Sequence, residues 1–279
     1  MFISQQNTVV RDSNPGIETL DSVFSVLAYG VRIDFRLPPA LRAELPSPIV
    51  PGTEFDDRGP ADAVLAVRVN DSAPGGPLYE ISENGRVLGL ETSLQAAACL
   101  VESWAQLTVA TLAKGLVFVH AGVVGWRDRA LVIPGRSWSG KSTLVLALVE
   151  AGADYYSDEY ALFDWEGRVH AYWRLPKLRV ASGQKVSSRL LGGVLSGSPP
   201  NPIPLGWVLL SRYEAESSWQ PRRLSCGETL LGLLDNTVPL HLRPEESVKV
   251  LGRAMRNAQG YEGARGEAGK LAQQALALL

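Results

Sequence analysis

The chain has 279 residues, 46% of them apolar, and a formal net charge of −2 from 27 basic and 29 acidic side chains. That length suits one large domain or two smaller ones, and the near balance of charge gives no overall electrostatic case for a nucleic-acid partner. Two cysteines, Cys99 and Cys226, lie far apart without metal-ligand spacing, which argues against a disulfide framework and fits a reducing, cytoplasmic setting.

The opening MFISQQNTVVRDSNPG has neither a basic lead nor an apolar h-region, so no signal peptide is predicted. No apolar run approaches the roughly 20 residues that span a bilayer, and no membrane partner is expected. Residues 1–20 are polar. Val23–Leu37 (VFSVLAYGVRIDFRL) mixes β-branched and aromatic residues in a strand-like pattern. The Pro-rich LPPALRAELPSPIVPG that follows cannot lie inside a sheet. Asp62–Asn70 alternates as a strand does, and Leu78–Glu91 holds Asn84-Gly85 between two apolar arms, a strong hairpin signal. Residues 1–92 therefore read as a small β-rich subdomain and 93–279 as a second, larger domain.

Ser93–Gly115 predicts a helix with Ser93 as its cap. Leu94, Ala97, Ala98, Val101, Trp104, Ala105, Val109 and Leu112 recur mostly at steps of three and four and form one buried face. Leu116–Trp126 is a β-prone run. RALVIPG is strand-like, and STLVLALVEAG reads as a helix ending at Gly152. ADYYSDEYALF reads as one further strand, with a turn at Asp164–Gly167, and RVHAYWRLPKLRV as another. Ala181–Pro204, rich in Gly, Ser and Pro, is expected to be a partly mobile loop and is a candidate lid. LGWVLLSRY reads as a short buried strand. The C-terminus reads as helical, with Pro244 at a first helical position and Val248, Leu251 and Met255 on one face. GARGEAGK (Gly263–Lys270) is taken as a connection between helices, and EFDDRGPAD (Glu54–Asp62) as a solvated loop.

Between the strand RALVI and the following helix lies Gly135-Arg136-Ser137-Trp138-Ser139-Gly140-Lys141-Ser142-Thr143, which satisfies G-x-x-x-x-G-K-[ST]. The glycines let backbone N–H groups curl inward around phosphate oxygens, and the helix start adds free amides and a positive dipole end. Lys141 is placed to bridge the outer phosphates and Ser142 to ligate Mg²⁺. The strand before and the helix after supply the context this motif requires, so ATP or GTP binding is expected. Trp138 is too bulky to point into such a loop and is expected to face outward.

Asp158 and Glu159 fall 17 and 18 residues after Lys141. One carboxylate would hold Mg²⁺ through water and the other would take a proton from an attacking hydroxyl. Adjacent residues on a strand face opposite ways, so both roles require irregular backbone there. His120, 21 residues before Lys141, is placed either to orient Asp158, to contact phosphate, or to serve the fold alone.

Taken together, VHAGVV, the phosphate loop and ADYYSDEYALF resemble the catalytic domain of the HPr kinase/phosphorylase family and its shorter relatives, over about residues 116–180 and more loosely to the C-terminus. AYGVRIDFRLP resembles the shorter relatives rather than HPr kinase. The resemblance implies a P-loop α/β fold, a phosphoenolpyruvate-carboxykinase-like mixed sheet with flanking helices. It also implies ATP and Mg²⁺ as cofactors, with Asp158 as catalytic base, His120 as the active-site histidine, and Ser142 with Asp158 or Glu159 at the metal. Glu159 departs from the family's usual second Asp. A basic residue after the next strand would approach the phosphates; Arg174, Lys177 and Arg179 are candidates, with Arg179 favoured. The implied activity is ATP-dependent phosphorylation of a hydroxyl, chiefly serine, on a peptide or protein such as a lasso-peptide precursor. A nucleotide-dependent ATPase or switch, a kinase of small-molecule hydroxyls, and a binding protein that has lost the chemistry are the alternatives. A homo-oligomeric state is left open.

Overall fold

The computed structural model describes residues 22–54, 59–135, 139–176 and 199–279. It is a mixed α/β structure that divides into two compact units, Met1–Lys114 and Gly115–Leu279. The helix after Ser93 therefore falls in the first unit, whereas the sequence reading placed it at the start of the second.

In the first unit, β1 (Ser22–Ala28) and β2 (Val31–Leu37) form a hairpin. Its turn residues, Tyr29 and Gly30, both have positive φ, 51° and 73°, the conformation that matches strand twist. The single strand-like pattern of the sequence is thus two strands. β3 (Thr53–Glu54), β4 (Ala63–Asn70), β5 (Leu78–Glu83) and β6 (Arg86–Glu91) complete a six-stranded sheet in the order β3-β1-β2-β4-β5-β6. All its pairings are antiparallel except β2 with β4. The β5–β6 turn is the Asn84-Gly85 pair expected.

A short helix α1 (Pro39–Glu44) and the long helix α2 (Leu94–Leu112) complete this unit. Ser93 caps α2 by accepting from the Ala96 amide at 3.2 Å. The buried face of α2 runs through Ala97, Ala98, Val101, Ala105 and Val109, as its spacing predicts, but Leu112, expected on that face, is exposed at the last turn, and the face also takes in Glu102 and Gln106. These two bury together because the Gln106 amide donates to Glu102 at 3.0 Å and to the Ile49 carbonyl at 3.3 Å.

In the second unit, β7 (Val117–Trp126) and β8 (Arg129–Pro134) form a hairpin at the head of an eight-stranded mixed sheet. β9 (Asp154–Ser157) and β10 (Tyr160–Phe163) both pair antiparallel with β7. β11 (Arg168–His170) pairs with β10 and with the first residues of β12 (Ile203–Tyr213). β12 runs parallel to β8 on one side and to β14 (Gln259–Arg265) on the other, and β13 (Arg222–Leu224) edges β14. The pairings β7–β8, β8–β12, β12–β11, β11–β10 and β10–β7 close into a ring.

Alternation along the strands gives two apolar faces. Leu131 and Ile133 of β8 pack with Leu144, Val145 and Leu148 of α3 (Lys141–Glu150) and Leu271, Ala275 and Leu276 of α6 (Ala268–Leu278). Ala130 and Val132 face the other way, toward Leu233 of α4 (Cys226–Leu234) and Val250 and Leu251 of α5 (Pro244–Ala254). α5 begins at Pro244 as expected, but Val248 is 45% exposed; the buried positions are Ser247, Val250, Leu251 and Ala254.

Two sequence expectations change here. Among the described residues of RVHAYWRLPKLRV, Arg168–His170 is strand and 171–176 is irregular; residues 177–180 lie outside the described residues. The stretch taken as a helix connection contains the end of β14, a strand in the parallel part of the sheet. The expected lid falls mostly on residues 181–198, and the polar start on residues 1–20; both lie outside the described residues. No helix among the described residues is long and apolar enough to cross a membrane.

Candidate functional site

The site is assembled where β7, β8 and the β9–β10 junction meet the start of α3. Gly135 follows β8 directly, and its amide donates to the His120 carbonyl at 3.3 Å, which ties the loop's first residue to β7. Gly140, just before α3, sits in the left-handed region at φ 79°, where a side chain would be strained. Gly122 of β7 lets α3 approach: a Cβ there would lie 2.5 Å from Val145 Cγ2 and 3.9 Å from the Lys141 side chain. Arg136, Ser137 and Trp138 lie outside the described residues.

Lys141 is the first residue of α3 and only 7% exposed. Its ammonium donates to the Gly135 carbonyl at 2.6 Å, so the side chain folds back across the loop that precedes it. Burial pushes the ammonium pKa below its ordinary value, and the nearby charges of Glu159 and Asp158 oppose that shift. Ser139 Oγ is buried and finds no partner among the described residues. It faces the bare Cα of Gly135, where an added Cβ would lie 2.9 Å away. An orphaned hydroxyl, open helix amides and a lysine beside them form a cradle for an oxyanion. Thr143 points to solvent on α3.

The acid pair sits in a kink rather than in a continuous strand. Ser157 ends β9, and its Oγ accepts from the amides of Glu159 and Tyr160, each at 3.0 Å. This local turn breaks the expected strand into β9 and β10 and supplies the irregular backbone that two different carboxylate roles require. Asp158 turns inward and is 2% exposed. The Ser142 hydroxyl donates to its Oδ2 at 3.0 Å, and the Tyr155 hydroxyl approaches its Oδ1 at 3.3 Å while lying 3.0 Å from the Arg174 carbonyl. Burial pushes the Asp158 carboxyl pKa up; the charge of Arg174 and the hydrogen bonds from Ser142 and Tyr155 reduce the rise without cancelling it.

Glu159 turns the other way, toward β7. Its carboxylate lies 3.4 Å from His120 Nε2, with its side chain about a third exposed, at 33%. Burial alone would raise its pKa, but the hydrogen bond and charge of His120, helped by Arg174 and Lys141, outweigh it and hold the carboxyl below its ordinary value. The structure thus brings His120, Gly135, Ser139, Lys141, Ser142, Asp158 and Glu159 into one place. Arg179 and Lys177 lie outside the described residues; the charge of Arg174 acts on both carboxylates.

Two neighbours escaped the sequence reading. Tyr155 looked like one more aromatic in a buried strand; only its position three residues before Asp158 in a kinked segment shows that its hydroxyl reaches the acid. Arg265, at the end of β14, is 3% exposed and donates from Nη2 to the carbonyls of Ser139 at 3.1 Å and Gly140 at 3.3 Å. Nothing in its local sequence announces this, because the contact crosses from the far side of the parallel sheet.

Among the described residues no three or more His, Cys, Asp or Glu side chains cluster as a metal cage. The donor set at the loop is instead one hydroxyl and one carboxylate, Ser142 and Asp158. These observations give a helix start with an unpartnered hydroxyl and a buried lysine beside two unequal carboxylates, Asp158 buried and Glu159 a third exposed. No family model matches the chain, and no curated protein matches it.

Proposed function

We propose that the second unit is a P-loop kinase domain with a phosphoenolpyruvate-carboxykinase-like mixed sheet, and that it transfers the γ-phosphoryl group of ATP to a serine-type hydroxyl of a peptide or protein. The observation that carries this reading is the convergence of Lys141 and Ser142 with Asp158, Glu159 and His120 on one loop. A phosphate-binding loop alone implies binding; a carboxylate pair of split character beside it implies a proton to be moved.

The residues fit a Mg²⁺–nucleotide pair. Mg²⁺ keeps several waters and takes one or two protein oxygens plus phosphate oxygens, which is what Ser142 Oγ and Asp158 Oδ2 offer. When bound, the ion would neutralise charge that builds on the phosphates. The chain's own residues do the rest. The loop amides and Lys141 hold the outer phosphates. Arg174 adds positive charge beside both carboxylates. Asp158, with its raised pKa, receives the proton of the attacking hydroxyl, while Glu159 and His120 hold each other in place. Most of the rate gain then comes from positioning and fixed electrostatics.

A second assignment within the same reading has its own support. Asp158 is nearly sealed and already accepts from Ser142, whereas Glu159 is partly exposed beside His120. On that ground Glu159 is the proton acceptor and Asp158 serves the metal side. Transfer assays with Asp158→Asn and Glu159→Gln separate the two: the base variant loses transfer and keeps ATP binding, and the metal-side variant loses its response to Mg²⁺ concentration.

The test of the function itself is incubation of the full chain with γ-labelled ATP, Mg²⁺ and serine-containing peptides, read by mass spectrometry. Label on a serine supports the kinase. ATP turnover that releases phosphate whatever acceptor is present supports an ATPase or switch instead, and absence of nucleotide binding removes the whole reading.

A further inference from the structure

We infer that Arg265 is a positioning residue of the phosphate loop: from the end of β14 its guanidinium holds the carbonyls of Ser139 and Gly140 and so aims the amides of Gly140 and Lys141 at the bound anion. The inference rests on the loop being a phosphate site. A trans peptide is planar, with C=O and N–H pointing opposite ways. Arg265 Nη2 takes the Ser139 carbonyl at 3.1 Å and the Gly140 carbonyl at 3.3 Å. The N–H groups in those two peptide units, of Gly140 and Lys141, are thereby turned away from Arg265. They belong to the start of α3, where no preceding turn exists to accept from them.

The surroundings of Arg265 distinguish it from an ordinary buried arginine. Such a cation normally has a carboxylate partner, yet among the described residues Arg265 forms no ion pair within 4.0 Å. Its partners are main-chain carbonyls, those of Ser139, Gly140 and, at 3.4 Å, Gly266, and the ring of Tyr213, with the guanidinium carbon 5.5 Å from the ring centroid. Its Nε is buried and without a partner among the described residues. A charge held by main-chain carbonyls, with the Glu267 carboxylate acting only from beyond ion-pair distance, keeps positive potential beside the loop. Burial lowers the pKa of Arg265, with Tyr213 and Glu267 opposing the shift, but a guanidinium remains charged at any working pH. The same contact adds a second constraint on Gly140: besides its positive φ, a Cβ there would strike Arg265 Nη2.

The experiment measures binding of ATP and of inorganic pyrophosphate by calorimetry to the full-length wild type, Arg265→Met and Arg265→Lys, alongside each ligand-free melting midpoint. Pyrophosphate carries no base or sugar, so it reports on the loop alone. In Arg265→Met both affinities are expected to fall by about tenfold or more, the loss of one charge-assisted hydrogen-bonding group, at a temperature where the variant is fully folded. Arg265→Lys keeps the charge but not the fork and is expected to recover only part of that loss. A merely structural role would lower the midpoint and leave both affinities within twofold of wild type; that result overturns the inference while the kinase reading stands. Should Arg265→Met fail to fold, Arg265→Lys decides, and wild-type affinity in it overturns the inference. Wild-type protein that binds neither probe overturns the phosphate-site reading and this inference with it.

Discussion

Replacing Asp158 and Glu159 singly by their amides is expected to move stability in opposite directions, although the two residues are adjacent. Asp158 is buried, and its folded-state pKa is raised. A group of this kind contributes stability that is fully present below its unfolded value, about 3.9, and lost as pH rises through the folded value. At neutral pH its charge is therefore a cost to the ligand-free protein. In Asp158→Asn that charge is gone, while the amide oxygen still accepts from one of the two hydroxyls now held by the carboxylate, Ser142 at 3.0 Å or Tyr155 at 3.3 Å. The expected gain is about 1 kcal/mol, within the usual range for relieving strain at a functional site. In a domain of this size that raises the melting midpoint by about 2–4 °C.

Glu159 has the opposite sign. Its folded pKa is depressed, so its stabilising contribution is present above its unfolded value, about 4.3, and is lost as pH falls through the folded value. Because the side chain is a third exposed, solvent screens the pair with His120, and Glu159→Gln is expected to cost only about 0.5–1 kcal/mol. The assay is thermal unfolding of the ligand-free, metal-free protein at neutral pH and again near pH 4, with phosphate transfer measured on the same samples. Both differences should shrink in acid. If Asp158 is the base, its amide variant also loses transfer by about 10²–10⁴-fold. A lower midpoint for Asp158→Asn at neutral pH, or a higher one for Glu159→Gln, would refute the electrostatic reasoning.

If Lys141 donates to phosphate as proposed, Lys141→Met removes one charged donor and should weaken ATP at least tenfold, from about 1.5–3 kcal/mol for such a bond; equilibrium dialysis with ATP checks this. Tyr155→Phe removes the hydroxyl shared between Asp158 Oδ1 at 3.3 Å and the part-buried Arg174 carbonyl at 3.0 Å, a loss of about 1 kcal/mol, and should lower kcat with little change in KM for ATP; equal changes in both would show that Tyr155 does not act through Asp158. Gly122→Ala places a Cβ 2.5 Å from Val145 and should cost about 1–3 kcal/mol through overpacking, read as a lower urea midpoint. Ser93→Ala removes the cap on the first turn of α2 for about 1 kcal/mol, and hydrogen exchange at the Ala96 amide should quicken while the second unit is unaffected.

The local features were legible because each depends on a few neighbouring residues. Asn84-Gly85 dictates its hairpin through φ alone, Ser93 its helix start through one hydroxyl, and Gly140 the entry to α3 through its positive φ. What the sequence did not show requires residues distant along the chain. The kink at Asp158-Glu159 comes from Ser157 turning back on two amides while β9 and β10 both pair with β7, so one expected strand became two. β14 reads as a glycine-interrupted connection, because its strand conformation is stabilised by parallel pairing with β12 rather than by propensity. Residue types and spacing alone determined that a histidine, a G-x-x-x-x-G-K-S motif between strand and helix, and two acids occur in this order. Only the tertiary structure decided that one acid is sealed and the other a third exposed, that the charge of Arg174 reaches both carboxylates, and that Arg265 bonds to the carbonyls of Ser139 and Gly140. Burial and charge pairing belong to the folded surroundings of a side chain, and those surroundings are built from the whole sheet.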